Sequence, residues 1–118
     1  MRRIGIPVVL ALAGVALAGT GNPATAHDPL MVGVDCYTEI GSTLCDAVAY
    51  GGTGTYISYD WTVEERPNYY SSPTSSYQTY GSNPQISGSC TAGYHVTVTV
   101  LVKDSQGATA VGNSGFTC

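Results

Sequence analysis

An all-β fold, a small sandwich of two sheets, is what this sequence predicts, on three observations. Helix signals are nearly absent, while Val, Thr and Tyr are frequent. Gly, Ser, Asn and Pro punctuate the chain every several residues. Between those breaks, apolar and polar residues alternate with a period of two, the period of a strand with one buried face.

A first hairpin is expected over residues 31–37 and 43–50, turning at Ile40-Gly41-Ser42, with Cys45, Ala47 and Ala49 on one face of the return strand. After the break at Gly51-Gly52-Thr53-Gly54, a third strand sets Ile57, Tyr59, Trp61 and Val63 against Ser58, Asp60 and Thr62. Residues 64–84 turn to Tyr, Ser, Asn, Thr and Pro. They read as an irregular stretch with one or two short edge strands, because Pro67, Pro73 and Pro84 cannot donate to a central ladder. The clearest strand places Tyr94, Val96, Val98, Val100 and Val102 on one side and His95, Thr97 and Thr99 on the other. Asp104-Ser105-Gln106-Gly107 supplies a turn, and residues 108–118 return. Six or seven strands around one Trp fit a two-sheet sandwich, with Trp61 between the sheets and Ala47, Tyr94, Val96 and Val98 near it. There is no internal repeat and no sign of a second domain.

The first residues read differently. Arg2 and Arg3 precede an apolar stretch over residues 8–18, and Ala24-Thr25-Ala26 puts small residues where a signal peptidase cuts. Residues 1–26 are thus expected to be a secretory signal peptide, with His27 as the new terminus and a secreted, extracellular product. The stretch is well short of the roughly 20 residues of a spanning helix, so no membrane insertion is expected. Removing it leaves 118 − 26 = 92 residues, one domain over 27–118, at the low end of what an unaided core can stabilise.

Covalent staples are therefore expected. All four cysteines, Cys36, Cys45, Cys90 and Cys118, follow the leader, and an even count in an oxidising compartment reads as two disulfides and not as a metal site. A hairpin turning at Ile40-Gly41 sets Cys36 opposite Cys45. One turning at Ser105-Gln106 sets Cys118 opposite Gly93, with Cys90 a few residues further on. The pairing expected is Cys36–Cys45 and Cys90–Cys118, and the rival is an inter-sheet Cys45–Cys90 bridge packed on Trp61.

Past residue 26 the cations are Arg66 and Lys103 against eight carboxylates, a formal charge of 2 − 8 = −6. Such a surface repels phosphate backbones and anionic lipid, which disfavours nucleic acid as a partner. Catalysis lacks parts: the histidines are His27 at a terminus and His95 at a solvent-facing strand position, and no GxSxG, HExxH or paired-carboxylate pattern occurs. Asp60, Glu64 and Glu65 cluster in sequence but lack the oxygen-ligand spacing of a calcium loop. No enzyme, metal or cofactor is expected.

One segment stands out. Tyr69, Tyr70, Tyr77 and Tyr80 lie among serines and threonines, the composition of surfaces that bind through rigid amphipathic rings, and tyrosine rings also stack on sugars. The competing reading is a loop or edge strand whose tyrosines cover their own sandwich.

Residues 45–63 (CDAVAYGGTGTYISYDWTV), 89–110 (SCTAGYHVTVTVLVKDSQGATA) and the closing FTC resemble the PKD-like or immunoglobulin-like domains of secreted bacterial proteins. The shared features are fold signatures: small residues that let the sheets approach Trp61, and a turn glycine at Gly107. The resemblance implies an immunoglobulin-like (PKD-like) sandwich and a non-catalytic binding or adhesion module for carbohydrate, cell wall or an extracellular protein. It transfers no site residues. The alternative is a small-molecule carrier or protease inhibitor on a disulfide-stapled sandwich.

Overall fold

A computed structural model describes residues 28–118, so the expected cleavage after Ala26 lies outside the described residues. Seven strands follow in chain order: β1 (Met31–Glu39), β2 (Ser42–Tyr50), β3 (Tyr56–Arg66), β4 (Ser75–Thr79), β5 (Gln85–Ser89), β6 (His95–Asp104) and β7 (Thr109–Thr117). They form two antiparallel sheets, one ordered β1-β2-β5 and the other β4-β3-β6-β7. The chain changes sheet after β2, β4 and β5, and the two short strands β4 and β5 lie at the sheet edges where the prolines predicted them.

The inner faces meet as the alternation requires. The four-stranded sheet sends Tyr59, Trp61, Val63, Val96, Val98, Val100 and Val102 into the core. The three-stranded sheet faces them with Cys45 and Ile86, both buried, and with Val32, Val34, Ala47 and Ala49 packed alongside. Small against large is what allows two sheets to interdigitate around an indole. Trp61 is 1 % exposed. Its Nε1–H donates to the Asn83 carbonyl at 3.0 Å, which anchors the β4–β5 crossing to the core. Tyr94, expected beside the indole, is only half-buried just ahead of β6.

Both disulfides pair as the hairpins predict, Cys36 with Cys45 and Cys90 with Cys118. Cys36 and Cys45 are direct cross-strand partners. The rival inter-sheet bridge does not form. In the last hairpin the register differs by one residue from expectation, since Thr117 pairs with His95 and the Cys118 N–H donates to the Tyr94 carbonyl. The loop is the cause. Lys103 pairs with Thr109, and Gly107 turns at φ +89° with its N–H on the Asp104 carbonyl. A loop with a glycine in that conformation holds one more residue than a two-residue turn.

The third strand departs once from strict alternation. Tyr56 pairs with Asp104 and Ser58 with Lys103, leaving Ile57 as the extra residue of a β-bulge. Ile57, expected inside, is therefore exposed, and Tyr56 packs against the core in its place.

One side of the sandwich is closed and the other is open. A Cβ added at Gly112 of β7 would lie 2.7 Å from the Val32 carbonyl of β1, so these strands touch through backbone. Between β4 and β5, by contrast, two clefts open, of about 270 and 470 Å³.

Candidate functional site

The register divides the four predicted tyrosines between two places. Tyr77 pairs with Val63, an inward residue, and so points into the gap between β4 and β5. A Cβ added at Gly88 would meet its hydroxyl at 2.8 Å, so the ring spans to the opposite sheet. Tyr77 is a wall of the smaller cleft, with Val63, Glu65 and Cys90. Burial first, and the nearby Glu65 carboxylate second, push its phenol above the ordinary value. Tyr59 is also raised, by burial and then by Tyr56.

Tyr69 and Tyr70 stand over the outer face of the four-stranded sheet, and Tyr80, just past β4, borders the larger cleft while its hydroxyl reaches back to that face. Residues 67–71 form a tight loop: the Asn68 side chain accepts the Tyr70 N–H at 2.9 Å, and the Asn68 carbonyl accepts both the N–H and the hydroxyl of Ser71. Arg66 fastens this loop to the strand, Nη1 donating to the Ser71 carbonyl at 3.2 Å while Nη2 meets Glu64 at 3.3 Å. The loop holds Tyr69 edge-on to the His95 ring at 5.1 Å, and Tyr70 edge-on to Tyr69 at 5.3 Å. Tyr70 is 92 % exposed. At the opposite end of the face, the Tyr80 hydroxyl bonds to Gln78, whose strand position beside Thr62 is outward.

Between these ends runs a polar floor. One row crosses all four strands as Gln78, Thr62, Thr99 and Asn113, and the next as Ser76, Glu64, Thr97 and Gly115. The Gln78 row and the row of Arg66 and His95 are four residues apart along β3, about 13 Å at strand rise. Planar rings at both ends of a flat face rich in hydroxyl, amide and carboxylate groups can stack on, and hydrogen-bond to, a polyhydroxylated ligand.

Other candidates resolve differently. Glu65 turns to the opposite side from Asp60 and Glu64, where it accepts the N–H and hydroxyl of Thr91 at 2.8 and 2.9 Å, so the three carboxylates do not converge. Among the described residues no group of three or more His, Cys, Asp or Glu is placed to hold a metal. His95 is half-buried beneath Tyr69 and serves as its support, a role visible only once β6 and the loop are brought together. The Thr rows were present in the alternation but carried no sign of being a surface. The larger cleft borders Trp61 and Tyr59, yet both rings are almost wholly buried and offer a ligand little area. Among the described residues no helix is long and apolar enough to cross a membrane.

The raised phenols make a pH prediction. Below the ordinary tyrosine value near 10 the folded and unfolded chains hold these protons equally. As pH rises past it the unfolded chain releases protons that Tyr59 and Tyr77 retain, so stability is lost until their folded values are passed. Phenolate absorbance should show a component of ionisation above the ordinary value that Tyr59→Phe and Tyr77→Phe each reduce, with denaturation midpoints falling across that window.

Comparison with known protein families, characterised proteins and solved structures returns no match.

Proposed function

We propose that this chain is a secreted, non-catalytic binding module of immunoglobulin-like or PKD-like type, which holds polysaccharide against the outer face of its four-stranded sheet. The observation that carries the reading is the standing of Tyr69, Tyr70 and Tyr80 at the two ends of one polar sheet face, exposed and outside the core. Rings that are not needed for packing cost little to commit to a partner. A loop fixed by Arg66 and Asn68 also orders Tyr69 and Tyr70 before a ligand arrives, which lowers the entropic cost of binding.

Retention on insoluble polysaccharides and on peptidoglycan tests the reading. Serine at Tyr69, Tyr70 and Tyr80 should leave the melting temperature nearly unchanged and cut affinity by more than about tenfold per ring, as lost aromatic hot spots do. Tyr77→Ser should do the reverse, lowering the melting temperature and sparing retention, because its ring, although 41 % exposed, faces the cleft between β4 and β5 and reaches Gly88. A protein retained equally well without Tyr69, Tyr70 and Tyr80 would sink the reading.

A further inference from the structure

The opposite side of the sandwich has a character of its own. On the outer face of the three-stranded sheet the cross-strand pairs Met31–Tyr50 and Tyr37–Leu44 lie at either end, with Val48 between them. These side chains are exposed, Tyr37 at 62 % and Val48 at 50 %. Midway, Asp35 and Asp46 are direct cross-strand partners. Like charges set opposite each other in an antiparallel pair oppose folding. Gln85 on β5 fixes one of them, its amide donating to the Asp46 carboxylate at 2.6 Å.

No cation of the described residues relieves this pair. Arg66 and Lys103 are the two such cations, and both strand positions face outward from the other sheet, Arg66 already bound to Glu64. The face is thus an apolar surface with an uncompensated negative centre, and its complement is an apolar strip with a positive centre. A second copy of the chain fails that requirement, because a two-fold axis at the centre would set four carboxylates together. Size narrows the choice further. Two strands of nine residues and one of five, at about 4.8 Å spacing, make a face of roughly 400 Å², half of what each side of a standard protein–protein interface covers, and suited to one extended segment.

We infer that the outer face of the three-stranded sheet docks an extended polypeptide segment of another protein, which sets an Arg or Lys between Asp35 and Asp46 and apolar side chains against Tyr37, Leu44 and Val48. This surface is separate from the proposed polysaccharide face and stands or falls independently of it. The apolar groups exclude water around the ion pair, and the acidic pair selects the partner's register and rejects acidic sequences.

The test uses the oxidised protein and two synthetic peptides of about eight residues, the length that spans the face. Both carry Val two places to either side of a central residue, on the same face of the extended segment, and that residue is Arg in one and Glu in the other. Amide chemical-shift titration should place the Arg peptide on β1 and β2, with affinity at least about tenfold above that of the Glu peptide. Asp35→Asn with Asp46→Asn should erase that difference while leaving the melting temperature the same or higher, as removal of a like-charge pair requires. Tyr37→Ser should weaken the Arg peptide without affecting polysaccharide retention. Equal affinity for the two peptides, shifts confined to the other sheet, or a dimer in sedimentation that Tyr37→Ser dissolves would each overturn the inference, the last in favour of a second copy.

Discussion

Trp61→Ala is expected to lower stability by about 3–5 kcal/mol, as large aromatic truncations in packed cores do. The indole is 1 % exposed, and the core it belongs to is flanked by small residues such as Ala47 and Ala49, which cannot expand to fill the space it leaves. A second loss adds to the cavity: the Asn83 carbonyl forfeits its donor, and with it the crossing from β4 to β5 loses its tie to the core. For a domain of this size the midpoint of thermal unfolding should fall by more than about 12 °C. Trp61→Phe separates the two contributions, since it keeps most of the volume and abolishes only the hydrogen bond. A phenylalanine variant as unstable as the alanine one would mean that the anchor, and not the packing, dominates.

Asp104→Ala should be nearly as damaging, at about 3 kcal/mol or more, although the residue is the last of β6, at the edge of a turn. Its carboxylate is 1 % exposed. One oxygen accepts the Gln106 and Ala108 N–H groups at 3.0 and 2.9 Å, and the other accepts the Thr53 N–H at 3.1 Å. Alanine would strip the acceptor from three backbone donors, each costing about 1–3 kcal/mol when left unsatisfied out of water. Gly52 shows how closely the carboxylate is held: a Cβ there would lie 2.6 Å from Oδ2, and its φ of +61° already disfavours a side chain. Urea denaturation of Asp104→Ala and Asp104→Asn measures the effect. An alanine variant within about 1 kcal/mol of the parent would mean that water reaches those donors.

What could be read beforehand was whatever repeats locally. The Val run of β6 declares its face by period alone, and the pairing of Cys36 with Cys45 and of Cys90 with Cys118 followed from where the hairpins turn. Ile57 was misplaced because a single extra residue reverses the alternation before it, and nothing in Tyr-Ile-Ser marks a bulge. Asp104 was legible as a turn residue but not as a buried one, since the Thr53 donor comes from a segment far away in the chain. The tyrosines are legible as a group, yet the inward turn of Tyr77 depends on the register of β4 against β3, which a Ser- and Thr-rich strand does not announce, and the others are placed by loop contacts that come together only in the fold. The acidic pair at Asp35 and Asp46 was equally hidden. Each is an ordinary surface residue in sequence, and only the hairpin sets them face to face.

The two disulfides also fix how this molecule would bear a load. Each spans a hairpin, over 9 and 28 residues respectively, and the second also ties the end of β7 to Cys90, the residue that follows β5 of the other sheet. A pull on residue 118 is therefore carried through sulfur to Cys90, past β6 and β7, which cannot be peeled apart while the bond is intact. A pull on residue 28 likewise crosses from Cys36 to Cys45 without opening the first turn. The covalently shielded β6–β7 hairpin includes the Thr97, Thr99 and Asn113 floor and the His95 support, so stretching would part the sheets and draw out β3, β4 and β5 first. An anchored molecule under shear would give up its Trp61 core before the β6–β7 part of its sheet face came undone.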